Sequence, residues 1–376
     1  MARRLRAQRL TGAPCAMPEE AVGLLLGVQA QDFGPAKWAV GARVGGATDA
    51  SVEEAFAAGL ILRTHVLRPT WHFVLPGDLR WLLTATAPRI RVRDARRYAQ
   101  LGLDAATLRR AAEVFTAALR GGHALTRAGM AAALEDAGVP TDGQRLPYLL
   151  MTAELEALIC SGPRSGKQHT YMLLDERAPA AADLSRDAAL AELAARFFAS
   201  HGPATAKDLA WWASLTLAEA RAGIERAGDR LRSRVIDGLT LWSGAGESAA
   251  AAPAGAEHPA GRPVPAVRLV QGYDEFVMGY SETKGLLARP GSSWVAATPP
   301  VGRLVILLDG RVGGFWRRTL EKARVLVEAE LMDDWSARAR VALEAEVARY
   351  AAFLGLRPEL RLVDHPSAAR SRRESA

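Results

Sequence analysis

The sequence predicts an α+β fold, and three observations carry that prediction. A pattern of three helices followed by two strands recurs three times along the chain. A stretch rich in alanine, glycine and proline then interrupts it, and the residues beyond that stretch alternate apolar and polar side chains as strands do. At 376 residues the chain also exceeds the size at which one hydrophobic core stops growing, roughly 250 to 300 residues, so several domains are expected.

The first unit spans 1–88. After Pro18, EEAVGLLLGVQ has helical spacing, PAKWAVGARV gives a second short helix and SVEEAFAAG a third, with Ser51 and Glu54 read as a capping box. LILRTHVL and PTWHFVLP follow as paired strands around a tight turn near Arg68 and Pro69. Three helices closed by such a hairpin are the outline of a winged helix. PRIRVRDARRYAQLGL, taken as 89–106, reads as a connecting helix whose arginines 89, 91, 93, 96 and 97 form either a phosphate-facing surface or a solvated face.

The second unit, 107–178, contains LRRAAEVFTAALR, then LTRAGMAAALEDAG capped by Thr126, then GQRLPYLLMTAELEAL, with LICSGP and QHTYMLL as its hairpin. The third, 179–243, contains DAALAELAARFFASHG, ATAKDLAWWASL and TLAEARAGIERAG, with LRSRVIDG and LTLWSG as its strands. Residues 244–265, GAGESAAAAPAGAEHPAGRPVP, lack the apolar content to bury a core and read as a flexible link. Residues 266–366 read as a β-rich domain closed by the helix DDWSARARVALEAEVARYAAFLG, and 367–376 as a disordered basic tail. The full expectation is three tandem winged-helix units plus a C-terminal β-rich domain, wrapped around a duplex so that basic surfaces face one cationic DNA channel.

Composition narrows the chemistry. Hydrophobic residues make up 49% and charged residues 24%, and no apolar run approaches the ~20 residues a membrane span needs, so no membrane crossing is expected. MARRLRAQRL leads into TGAPCAMPEE rather than an apolar stretch, which predicts a cytoplasmic protein; association with the nucleoid and a monomeric state are further expectations. Cys15 and Cys160 have neither the number nor the spacing for a zinc site or a disulfide framework, and the seven histidines show no paired ligand spacing. No metal is expected, and no cofactor, since phosphate-binding and dinucleotide loops and the nucleophile-elbow motif are absent. The net charge of +7 and pI near 9.8 favour a polyanionic partner, although 43 arginines against five lysines also fit a GC-rich coding bias.

Within LLGVQAQDFGPAKWAV, Gln29 and Gln31 stand where a helix is ending. On an extended chain they point one way and Ala30 the other, giving either a paired polar grip or two amides that cap the preceding helix. Asp32 is the rival group, with a cap or ion pair as its plainer role, and His72 lies on the strand face opposite Trp71.

These residues, together with RTHVLRPTWHFVLP, DLAWWASL, YDEFVMGY and DGRVGGFWRR, resemble the bacterial winged-helix DNA glycosylases that unhook interstrand crosslinks, and closely resemble the azinomycin-resistance branch of that family. The resemblance covers nearly the whole chain apart from the alanine-rich link and the tail. It implies that Gln29 and Gln31, matching the family's Gln-x-Gln motif, are catalytic, with Asp32 and His72 as candidate support. It also implies a channel lined by Trp38, Tyr273, Asp274 and Glu275, with the last two carboxylates anchoring Arg311 and Arg317 or contacting the site. Duplex DNA carrying alkylated purines is the expected partner, met by Lys37, Arg63, Arg68, Arg89, Arg91, Arg93, Arg311 and Arg317. The implied reaction is hydrolysis of the glycosidic bond of N7-alkylpurines, bulky and crosslinked adducts included, without Schiff-base chemistry at Lys37. A regulator or drug-sequestering DNA-binding protein without catalysis is the alternative, while a nuclease is disfavoured because no acidic metal ligands cluster.

Overall fold

The computed structural model describes residues 1–178, 183–246, 265–289, 302–332 and 335–363. Most of the predicted link and all of the predicted basic tail lie outside them.

The chain opens with a short helix that periodicity did not reveal, α1 (Ala2–Ala7), followed by α2 (Pro18–Leu25), strand β1 (Val28–Gln29), α3 (Phe33–Gly41) and α4 (Asp49–Ala57). The cap of α4 is Thr48, whose hydroxyl accepts from the Ser51 amide while the Ser51 hydroxyl accepts from the Thr48 amide. The box therefore lies three residues upstream of the Ser51–Glu54 pair expected. The sequence TDAS holds three cap-competent residues, and Thr48 alone has the extended backbone a cap requires.

Strands β2 (Leu62–Val66) and β3 (Thr70–Val74) pair antiparallel and take β1 on the far edge of β3, in the order β1-β3-β2. Helix α5 (Pro76–Gln100) then runs unbroken for 25 residues, so the connecting helix expected to start at residue 89 begins thirteen residues earlier. Pro88 lies inside it and cannot donate to the carbonyl of Thr84. Arg186 fills that gap, donating from Nη1 to Thr84 O at 2.8 Å and Ala85 O at 3.0 Å.

The next group comprises α6 (Ala105–Leu119), β4 (Leu125–Thr126), α7 (Arg127–Asp136), α8 (Arg145–Leu155), β5 (Ile159–Ser165), β6 (Gln168–Leu173) and α9 (Leu174–Arg177), with Thr126 capping α7 as expected. The third comprises α10 (Arg186–His201), α11 (Ala206–Trp212), α12 (Leu217–Ala227) and the hairpin β7 (Leu231–Ile236) and β8 (Leu239–Gly244). The C-terminal part holds β9 (Val267–Val270), α13 (Glu275–Met278), β10 (Leu304–Leu308), β11 (Arg311–Leu320), β12 (Arg324–Leu331), α14 (Ala337–Leu354) and β13 (Arg357–Val363), with sheet order β13-β12-β11-β10-β9.

Apolar burial divides differently from the chain. One core joins α2, α3 and α4 to the C-terminal sheet and α14, a second joins β2, β3 and α5 to α10, α11 and α12, and a third lies within the second group. The small sheet β1-β3-β2 stands between the first two: Val28 and Phe73 face the first core, Leu62, Val66 and Val74 the second.

Trp38 belongs to the first core rather than to a channel wall. It is 1% exposed, meets Tyr350 and Phe353 edge-on or tilted, and donates from its indole to Leu269 O at 2.8 Å. Beside it lies a fully buried ion pair, Arg43 with both carboxylate oxygens of Asp274 at 2.8 and 2.9 Å. Asp274 therefore anchors Arg43, not Arg311 or Arg317; those two donate to Ala288 O and to Glu328. Removing one member of such a pair strands its partner's charge away from water, so Asp274→Ala is expected to cost about 3 to 5 kcal/mol in equilibrium urea unfolding, against a smaller loss when Arg43→Met accompanies it. A loss in the double variant equal to the sum of the Asp274→Ala and Arg43→Met losses would show the pair to be uncoupled.

Candidate active site

Helix α2 stops because Leu26 takes a left-handed conformation, φ 66°, which turns the chain into β1. Gln29 then lies opposite His72, and His72 opposite Thr64, so these three side chains form one row across β1, β3 and β2. The row sits on the face that otherwise presents Leu62, Val66 and Val74 to the second core. A polar row on a buried apolar face needs partners, and distant segments supply them.

Gln29 is 4% exposed. Its backbone N–H donates to Glu275 Oε1 at 3.1 Å and its backbone carbonyl accepts from Gln271 Nε2 at 3.0 Å. Its side-chain oxygen accepts from Arg68 Nη2 at 3.0 Å. A guanidinium only donates, so the Gln29 oxygen must face it and the amide NH₂ turns elsewhere. Arg68 is itself fixed by donating from Nη1 to Trp212 O at 2.8 Å and by lying 5.1 Å from the ring centre of Trp211. Trp211 is 38% exposed and Trp212 fully buried, as adjacent helix residues facing different ways should be.

Glu275 is the buried charge of the site. Its second oxygen accepts from the Trp212 indole at 2.5 Å, and His201 Nε2 lies 3.6 Å away. Burial opposes the carboxylate, but His201 and the guanidinium of Arg68 outweigh it and hold the group at about 2. Burial also lowers the Arg68 pKa, with Glu275 working against that effect.

His72 is fully buried, and its Nδ1 lies 2.9 Å from Thr70 O. Since a carbonyl can only accept, the proton is assigned to Nδ1 and Nε2 is left as a bare acceptor. Burial first, then the charge of Arg68, push the imidazole down to about 3. Among the described residues, neither His72 Nε2 nor Thr64 Oγ1 has a hydrogen-bond partner.

The other half of the predicted pair has a different environment. The strand ends at Gln29 and the chain bends at Gln31, which is exposed and makes no hydrogen bond among the described residues. The alternation expected of an extended chain thus reaches only as far as Ala30, whose amide donates to Trp71 O at 2.7 Å. Asp32 takes the N-cap position of α3 but makes neither a cap bond nor an ion pair among the described residues. It lines an open cleft of about 620 Å³ with Arg303, Arg317, Arg318, Glu328 and Glu330.

The predicted DNA-facing cations separate by burial. Lys37 is 5% exposed and held at 2.7 Å by both Asp49 and Glu53. Arg63 is buried, donates to Ala30 O at 3.0 Å and lies 4.2 Å over the ring of Trp71, while burial lowers its pKa to about 10. Both are internal cations, unlike the surface charges expected. Arg89, Arg91 and Arg93 are exposed on α5, the last two beside Glu156 and Asp94. Arg317 is exposed and paired with Glu328, and Arg311 is half-buried. Tyr273 is half-buried next to Gly302. Gln271 and His201 were missed, although a glutamine inside the apolar run RLVQGY carries the same signal that singled out Gln29. The described residues contain no group of three or more His, Cys, Asp or Glu placed to hold a metal ion.

Because His72 refuses a proton that the unfolded chain accepts near its ordinary value, stability from this residue is complete above about pH 6.5 and falls as pH drops toward 3. The slope from His72 alone approaches ~1.4 kcal/mol per pH unit, and the lowered values of His169 and His201 act in the same direction. Urea unfolding between pH 7 and 4.5 should therefore show a shallower pH dependence in His72→Phe than in the parent; identical slopes would mean that the folded imidazole still takes up protons.

The description "DNA glycosylase AlkZ-like" matches residues 22–353. Among solved structures, the DNA glycosylase AlkZ of Streptomyces sahachiroi superposes with a TM-score of 0.78 at 22% identity, covering 96% of this chain and 98% of that one. Comparison with curated proteins gives no match. With the family description covering most of its length, the chain belongs to the AlkZ-like family of DNA glycosylases.

Proposed function

We propose that this protein hydrolyses the N-glycosidic bond of N7-alkylpurines in duplex DNA, bulky adducts and interstrand crosslinks among them, as a monofunctional, monomeric, cytoplasmic glycosylase. The observation that carries the reading is the pair of amides in contrasting environments: Gln29 fixed by Arg68 and Glu275, Gln31 at the surface beside it in sequence. The three helix and hairpin groups are read as winged helices facing the duplex, and self-resistance to a DNA-alkylating natural product is the role that fits best.

An N7-alkylated purine already carries positive charge, so it departs without protonation. The water oxygen bonds to C1′, the C1′–N9 pair moves onto the purine and neutralises it, and the water's proton is released to solvent. Two tasks remain for the protein, namely to place the water and to stabilise oxocarbenium character. With its oxygen turned to Arg68, Gln29 presents its NH₂, which donates to the sugar or to the water. Gln31 supplies a carbonyl that accepts from the water and aims its lone pair at C1′. The ionised carboxylate of Glu275, one residue's backbone behind Gln29, adds negative potential where sugar charge develops.

Base release from duplex DNA containing N7-methylguanine, revealed by alkali cleavage at the abasic site, tests this directly. Gln29→Ala and Gln31→Ala should each slow single-turnover release by about 10²- to 10³-fold, the scale of losing one fixed polar group at a reacting centre. Arg68→Met should slow it less, by freeing the Gln29 amide to rotate. Borohydride should trap no covalent complex. Near-normal release in both glutamine variants would end the mechanism, and unchanged lesions with tight, salt-sensitive binding by the parent would favour the non-catalytic DNA-binding alternative.

A further inference from the structure

The hairpin formed by β7 and β8 lies outside the site described above. Among the described residues it is a sheet of two strands with no third, and every residue of β7 after Leu231 is exposed. Its turn, Asp237 and Gly238, has φ of 50° and 76°, the positive pair that a tight two-residue hairpin requires. The apolar residues Val235 and Ile236 stand at the end of β7, 72% and 50% exposed. Arg232 and Arg234, next to them on the same strand, are exposed and have no ion-pair partner among the described residues. Among the described residues it is the base of the hairpin that is tied down: Trp242 exchanges backbone hydrogen bonds of 2.7 and 3.0 Å with Ala204 and packs near Phe198.

Two large apolar side chains at the tip of a projecting hairpin are a standing hazard for edge-to-edge association unless something covers them. Their immediate neighbours identify the cover. Arg232 and Arg234 give the strand two unneutralised positive charges, which repel a second copy of the same edge and attract a polyanion. Apolar wedges flanked by arginines are also the means by which proteins part stacked base pairs while gripping the adjacent phosphates.

We propose that the β7–β8 hairpin is a DNA wedge: Arg232 and Arg234 bind backbone phosphates, and Val235 with Ile236 enters the groove and opens a base step near the lesion. The placement suits that task. The base of the hairpin is joined at Ala204 to the segment leading into α11, whose last residue, Trp212, holds Arg68 and through it Gln29. Along the backbone, the tip lies at most ~35 Å from Trp212 by the rise of strand and helix, about ten base pairs at 3.4 Å each. Arg68 bridges the remaining step from Trp212 to Gln29, so wedge and amides fit within about one and a half turns of a duplex. The inference rests on the glycosylase reading only in taking duplex DNA as the partner.

The test uses the full-length protein with Val235→Ser/Ile236→Ser and Arg232→Ala/Arg234→Ala. All four positions are exposed, so thermal unfolding should match the parent. Binding is measured against salt on a duplex with 2-aminopurine beside N7-methylguanine, and on the same strand alone. The arginine variant should bind the duplex about ten-fold more weakly, with a log–log salt slope shallower by about two, one unit for each phosphate left unneutralised. The serine variant should keep the parent's slope, bind the duplex about ten-fold more weakly with little change on the single strand, and lack the 2-aminopurine brightening that reports unstacking. Parent-like affinity, slope and brightening in both variants would overturn the proposal. So would a parent that self-associates in sedimentation and a serine variant that differs only in being monomeric, since the cover would then be a second copy. A parent that binds and unstacks the duplex yet releases no base would sink the catalytic reading and leave the wedge standing.

Discussion

The candidate site depends on one buried carboxylate. An ionised group in the interior is costly unless donors surround it, and Glu275 takes its donors from the backbone of Gln29 and the indole of Trp212, residues far apart in the chain. Satisfying that single charge therefore fixes three segments together: the strand after α2, the end of α11 and the turn into α13. Gln29 has no freedom to sit elsewhere. Its amide is bonded to the carboxylate, its carbonyl to Gln271 and its side chain to Arg68, and Arg68 returns to Trp212 to close the circuit.

The circuit forms where two hydrophobic cores meet. Val28 and Phe73 belong to the core shared with the C-terminal sheet, while Leu26 and Val74 belong to the one shared with α10 and α11. Phe276 and Val277 lie in the first core and Tyr280 in the second, so the segment carrying Glu275 is clamped from both sides. Neither core alone positions the amide. This makes the C-terminal part structurally inseparable from the first helices, even though more than half of the chain separates them in sequence.

How much of this was legible follows from what each signal measures. Helical and alternating periodicity reports local burial, and it located the main helices of the three repeated groups and each of their hairpins, while the short α1 and α9 escaped it. It failed where the partner is remote. Pro88 reads as a break, yet α5 continues because Arg186 satisfies the carbonyl that proline strands. Lys37 and Arg63 read as surface charges, and nothing local announces that Asp49 and Glu53 enclose one while Trp71 and the Ala30 carbonyl receive the other. The motif at Gln29 and Gln31 was visible as an anomaly in an apolar run. What the pattern could not show is that the two amides divide, because Gln29 is locked inside by Glu275, more than two hundred residues downstream, while the chain bends at Gln31 and leaves it at the surface.

The division also bears on substrate choice. A glycosidic bond to a neutral purine breaks readily only when an acid protonates the departing base, and such an acid must hold its proton near neutral pH. None of the titratable groups gathered behind Gln29 can. Glu275 is ionised down to about 2, His72 stays neutral down to about 3, His201 is pushed below its ordinary value by burial, and Arg68 only donates hydrogen bonds. A site with amides in front and no protonated acid behind favours substrates whose base is already charged. On the proposed reading, the absence of acid catalysis from this cluster is what confines the enzyme to alkylated purines and spares the undamaged bases around them.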